Sequence, residues 1–142
     1  KKLKKKNPFA IKTYNFLLQK GIKNINYIDI EYESPNKLLN YDLVFILGGS
    51  SSHLFYHFKK SGADKILLEM IDKKINIIGA SAGAMLLSSG NRYVEEFNSV
   101  LGFNEENIDF SYTQGLKITN HILFPHYDMF SKKINNLEDK KI

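Results

Sequence analysis

A chain of 142 residues with 43% hydrophobic and 25% charged side chains has the balance of one folded domain, which excludes a disordered chain and allows roughly 70% of the unfolded surface to be buried. The absence of cysteine excludes disulfides, thiolate metal sites and a cysteine nucleophile, and no apolar run approaches the roughly 18 residues that a membrane span needs. The net charge of +5 is gathered in lysines near the two ends, with Arg92 the only arginine; because arginine is the residue that reads bases and clamps phosphates, the excess points to solvated ends and not to nucleic acid.

In chain order, apolar Ala10, Tyr14, Leu17 and Leu18 recur at helical spacing and predict a helix from Pro8 to Lys20, stopped by Gly21. Ile25 to Ile30 is rich in strand formers and reads as a strand. Ser34-Pro35-Asn36 breaks that pattern, and a short turn or helix follows through Leu38 and Leu39. Leu43-Val44-Phe45-Ile46-Leu47, ended by Gly48-Gly49, reads as a strand of a parallel sheet buried on both faces. Helices are expected from Ser51 to Lys60 and from Ala63 to Lys73, then a strand from Ile75 to Ile78 ending at Gly79, then a helix from Ala82 to Ser88.

Strands alternating with helices imply βαβ units, hence an α/β fold with a mostly parallel sheet and right-handed crossovers. From Asn91 to Gln114 the chain is polar and turn-rich, Ile118 to Phe124 is a further strand candidate stopped by Pro125, and the tail from Lys132 has too few apolar residues to join the core. The expectation is one domain over residues 1–142, with a core from about 8 to 130 and flexible lysine-rich ends. The chain opens on lysine and not on methionine, as a fragment or processed form would.

Gly79-Ala80-Ser81-Ala82-Gly83 matches G-x-S-x-G, the sharp strand-to-helix turn of a serine nucleophile. The pattern is common by chance; a buried strand before it and a helix after it are what give it weight. Small neighbours allow the strained turn and close chain approach, and the following helix aims free N–H groups at the reaction centre. A serine hydroxyl needs a base, and four histidines are available. His53 and His57 lie one helical turn apart, but no third metal ligand is apparent, so they read as exposed helix positions. His121 falls within the last strand candidate. His126, just past the end of that strand in Phe124-Pro125-His126-Tyr127-Asp128, is the preferred base, with Asp128 beside it as a residue that orients the loop. The N–H groups of Ala82 and Gly49 are the candidate oxyanion donors.

These three blocks, Phe45-Ile46-Leu47-Gly48-Gly49-Ser50, Ile78 to Ala84 and Phe124 to Asp128, resemble peptidase family S51, which contains peptidase E and the cyanophycinases. The likeness runs from Phe9 to about Asp128. It implies a glutamine-amidotransferase-like three-layer α/β sandwich and a serine peptidase acting on small peptides, including Asp-containing or isopeptide-like bonds, through an acyl-enzyme. It also implies Ser81 as nucleophile, His126 as base, Gly49 and Ala82 as oxyanion donors, and Glu96 as the third triad member, with Glu95, Glu105 and Glu106 as alternatives. Arg92 matches an arginine of the family and would hold a substrate carboxylate or brace the loop.

The family's domain normally has a further strand before the first helix and more strands after the histidine, so a domain truncated at both ends is expected. The glycine block reads Leu-Gly-Gly-Ser-Ser-Ser and not the Gly-Gly-Gly-Asn-Thr of peptidase E, which changes the substrate side of the pocket. Two other functions fit G-x-S-x-G: an α/β-hydrolase-like esterase, although the 45-residue separation of Ser81 and His126 is short for that fold, and an inactive family member acting as a binding module. No cofactor or metal, no nucleic acid and no membrane partner is expected. The location is expected to be cytoplasmic, and homo-oligomerisation is left open.

Overall fold

The computed structural model describes residues 6–89, 111 and 114–138. Helix α1 (Pro8–Gln19) starts where the Asn7 side chain accepts a hydrogen bond from the Phe9 N–H at 2.9 Å and Pro8 presets the first helical φ. It buries Ala10 and Leu17, while Phe9, Ile11, Tyr14, Phe16 and Leu18 stay exposed. Strand β1 (Leu43–Ile46) buries Val44 and Ile46 and half-buries Leu43 and Phe45. Its side chains therefore alternate in burial, where sequence predicted two equally buried faces.

Helix α2 (Ser51–Ser61) is capped at its start by the Ser50 hydroxyl, which accepts from the His53 N–H at 3.2 Å. It ends at Gly62, whose φ of 79° is the left-handed turn that glycine adopts without a Cβ penalty. Helix α3 (Ala63–Asp72) begins at once, so the two helices form a corner. Strand β2 (Asn76–Gly79) then pairs parallel with β1, with Leu43 opposite Asn76 and Ile46 opposite Gly79. A helix pair joining two parallel neighbours is the βαβ unit expected from the pattern. The core formed by Val44, Ile46, Phe55, Phe58, Leu67, Met70, Met85 and Leu86 stands where those elements meet helix α4 (Ala82–Leu87). Helix α5 (Tyr127–Glu138) closes the described chain.

Two predicted strands are absent. Residues 22–29 carry no regular structure, and the chain then turns tightly: the N–H groups of Tyr32 and Glu33 donate to the Asp29 carbonyl at 2.9 and 2.8 Å. Ile28 and Ile30 still pack against the core, so the apolar pattern reported burial without a ladder partner. The stretch from Ile118 to Phe124 is likewise not a strand. Its approach instead docks on the end of α4, where the N–H groups of Leu116, Lys117 and Ile118 donate to the carbonyls of Leu86, Ser88 and Leu87 at 2.7 to 3.1 Å. Those carbonyls have no partners within their own helix, and the docking satisfies both sides. Among the described residues, no helix is long and apolar enough to cross a membrane.

Candidate active site

The carboxyl ends of β1 and β2 lie side by side, and the ladder continues one step further as the Ala80 N–H donates to the Ile46 carbonyl at 3.0 Å. The chain then reverses at Ser81, whose φ of 52° and ψ of −114° are strained for a residue with a Cβ. Such a conformation costs on the order of 1–3 kcal/mol and persists only when its surroundings enforce it. The enforcement is steric. A Cβ on Gly79 would strike the Gly83 carbonyl, and a Cβ on Gly83 would strike the Ile46 carbonyl and meet its Cγ2 at 3.0 Å. Strand end, turn and helix start are thus in backbone contact that only these two glycines permit.

Gly48 closes the turn from the other side: a Cβ there would lie 2.9 Å from Ser81 Cβ and 3.5 Å from its Oγ. Gly49, next along, has a φ of 142° and open space around it. The sequence singles out Gly49, as a candidate oxyanion donor, and gives Gly48 no role beyond ending the strand. The requirement for Gly48 became visible only with Ser81 in place. Ala82 is buried and is the first residue of α4, so its N–H has no acceptor within that helix.

His126 arrives from the far end of the chain. Its Nε2 lies 3.0 Å from Ser81 Oγ. The backbone at His126 is left-handed, with φ 60°, and its carbonyl accepts from the N–H groups of Met129 and Phe130 at 3.0 and 3.1 Å, which starts α5. Phe124 and Phe130 flank it, stacked edge to face with ring centroids 4.8 Å apart, and both rest against the core. The loop is therefore pinned on both sides of the histidine, which itself remains exposed.

A strained serine at a strand-to-helix turn, in hydrogen-bond contact with an imidazole, is an arrangement in which the hydroxyl can lose its proton as it attacks. The model of peptidase family S51 matches residues 2–140. The chain belongs to peptidase family S51. It is 29% identical over 108 residues to the uncharacterized peptidase Lmo0363 of Listeria monocytogenes, covering 73% of this chain and 51% of that protein. It is 31% identical over 102 residues to the uncharacterized peptidase Lin0382 of Listeria innocua, covering 71% of this chain and 43% of that protein. The chain thus spans about half the length of the curated relatives it matches. Among solved structures it is similar to a putative peptidase E protein from Listeria monocytogenes EGD-e, with a TM-score of 0.70 at 24% identity, over 91% of this chain and 67% of that one. That likeness establishes the α/β fold with its open, parallel sheet.

In this S51 chain Glu96, its alternatives Glu95, Glu105 and Glu106, and Arg92 lie outside the described residues. Among the described residues, His126 Nδ1 has no hydrogen-bond partner. Asp128 occupies the first turn of α5 and is exposed. His121 is exposed, outside any strand, with Nδ1 2.9 Å from the Thr119 hydroxyl. His53 and His57 differ from expectation: both are half-buried, with ring centroids 4.3 Å apart. The spacing of four residues indicated that they share a helix face, but not that the 29–33 turn covers that face.

Proposed function

We propose that this S51 chain is a serine peptidase that hydrolyses small peptides through an acyl-enzyme. The observation that carries the reading is the 3.0 Å contact between Ser81 Oγ and His126 Nε2 at a turn whose serine has φ 52°. In this reading Nε2 accepts the serine proton as Oγ attacks the scissile carbonyl, which requires the imidazole to carry its own proton on Nδ1. The protonated imidazole then passes that proton to the departing amine. Water, deprotonated by the same nitrogen, releases the acyl group and restores Ser81.

Charge developing on the carbonyl oxygen would meet the N–H groups of Ala82 and Gly49. Ala82 is suited by its position at the first turn of α4, and Gly49 by a backbone that no side chain crowds. One such donor is worth about 10²- to 10³-fold in rate. Glu96 is assigned the Nδ1 proton and the orientation of the ring, and Arg92 the carboxylate of an acidic substrate; Asp-containing and isopeptide-like bonds are the substrates to try first. The cysteine-free chain suits a reducing compartment, and the reading locates the enzyme in the cytoplasm.

A fluorophosphonate probe tests the assignment. The wild-type chain should be labelled on Ser81, and Ser81→Ala should lose all labelling. Labelling that survives the substitution, or a folded wild-type chain that never reacts, would sink it. Replacing Glu96, Glu95, Glu105 and Glu106 singly by glutamine should slow labelling for Glu96 alone.

A further inference from the structure

Outside the serine–histidine pair, the fold brings together three side chains that sequence spacing could not unite. His53 and His57 stand four apart on α2, which puts both imidazoles on one face. Glu31 comes to them from the 29–33 turn, 22 positions before His53 in the chain. One ligand atom from each of the three lies within 4.8 Å of the others, and all three residues are half-buried. We propose that Glu31, His53 and His57 form a site for a divalent transition-metal ion of the zinc class, clipping the 29–33 turn to α2.

The chemistry of the donors selects the class. Two imidazole nitrogens with one carboxylate oxygen suit Zn²⁺, Co²⁺, Ni²⁺ or Cu²⁺, whereas Ca²⁺ and Mg²⁺ take oxygen donors. Bonds of about 2.0–2.2 Å in tetrahedral geometry put ligand atoms roughly 3.4 Å apart, so the side chains must draw in by up to about 1.4 Å from separations within 4.8 Å. Rotamer adjustment of two histidines one turn apart supplies that without moving the helix. Three protein ligands leave a fourth position, and all three residues line a cavity of about 930 Å³ that has room for a water or a small anion there.

The carboxylate is also held ready. The Tyr32 hydroxyl donates to Glu31 Oε1 at 2.6 Å, and the Glu31 N–H donates to Asp29 Oδ1 at 3.2 Å. The Asp29 N–H in turn donates to Glu33 Oε1 at 2.9 Å, so the turn is stapled from both ends. A ligand carboxylate oriented by a neighbouring hydroxyl is a feature that strengthens metal sites. Exposed acidic groups on a mobile tail would lack it.

The test uses the tag-free full chain, titrated with Co²⁺ and followed by visible absorption, then with Zn²⁺ by calorimetry against a competing chelator. The expected result is one ion per chain, Co²⁺ bands of low-symmetry nitrogen–oxygen coordination that Zn²⁺ abolishes, and a higher melting temperature with either ion. Glu31→Gln and His57→Gln should each weaken binding on the order of 100-fold or more, while His121→Ala leaves it unchanged. X-ray absorption at the zinc edge of the wild-type complex should show two imidazoles and a carboxylate oxygen, a readout that needs no variant to fold. Absence of stoichiometric binding, binding undiminished in both folded variants, or a zinc shell without imidazole would overturn the proposal and leave a hydrogen-bonded histidine–carboxylate cluster.

Discussion

The two halves of the Ser81–His126 pair are built by different means. The serine side is local: between Gly79 and Gly83, backbone meets backbone, and a single methyl group at either glycine has nowhere to go. The histidine side is assembled at a distance, by Phe124 and Phe130 resting on a core made mainly from β1, α2, α3 and α4. A locally built turn is specified by its own residues and is rigid. A docked loop is specified by the whole fold, and its geometry is only as firm as its few anchors.

The largest expected effect separates chemistry from construction. His126 has a left-handed backbone, so alanine there would add strain to the loss of the ring. Asparagine tolerates that backbone while being too short to reach Ser81 Oγ. His126→Asn should slow fluorophosphonate labelling by about 10²- to 10⁴-fold, the usual worth of a general base, and leave the urea midpoint nearly unchanged. A large drop in that midpoint would mean that the histidine loop holds the fold together, contrary to the division drawn above.

Next in size is the serine side itself. Gly83→Ala drives a methyl into the Ile46 carbonyl, and since a backbone atom cannot rotate away, the cost should lie at about 3 kcal/mol, the upper end of overpacking effects. Gly49→Ala provides the contrast, because nothing lies within 4 Å of the added atom and only the φ of 142° is penalised. Equal urea-denaturation losses for the two would show that the interlock of strand, turn and helix is looser than its contacts suggest.

The same division governs what could be read in advance. The turn around Ser81 was legible because its requirements, small residues two either side of a serine between a strand and a helix, are written in consecutive positions. β1, β2 and the helices between them were legible for a similar reason, their periodicities being local. Ile25 to Ile30 was misread because strand-forming residues report burial of Ile28 and Ile30, whereas a strand requires a neighbour to pair with, which no single segment specifies. The stretch after Ile118 failed for the same cause: the backbone groups just before it found the free carbonyls of α4. His53 and His57 were visible as a pair, but Glu31 was out of reach of any spacing rule.

A smaller effect tests how the histidine is anchored. Phe130 is half-buried and faces Phe124 edge to face, so Phe130→Ala should cost about 1–2 kcal/mol, below the 3–5 typical of a fully buried ring. Its sharper signature is kinetic. Labelling of Ser81 should slow by more than the loss of folded protein accounts for, and Phe130→Leu, which keeps most of the apolar contact, should restore much of the rate. A rate that follows folded fraction alone would show that the two hydrogen bonds to the His126 carbonyl suffice to hold the loop.

The smallest effect concerns Asp128, two residues beyond the histidine. Its place in the first turn of α5 suits a negative charge facing the positive end of the helix dipole, an interaction worth about 0.3–1 kcal/mol at an exposed position. That role predicts a modest loss of stability for Asp128→Asn, diminished by salt, with labelling of Ser81 unaffected. If Asp128 instead held the Nδ1 proton of His126, the stability change would be similar but labelling would fall by orders of magnitude. Measuring both at low and high salt therefore distinguishes a residue that starts a helix from one that steers the base. The first outcome makes the docked loop self-sufficient up to Nδ1, where Glu96 is assigned to complete it.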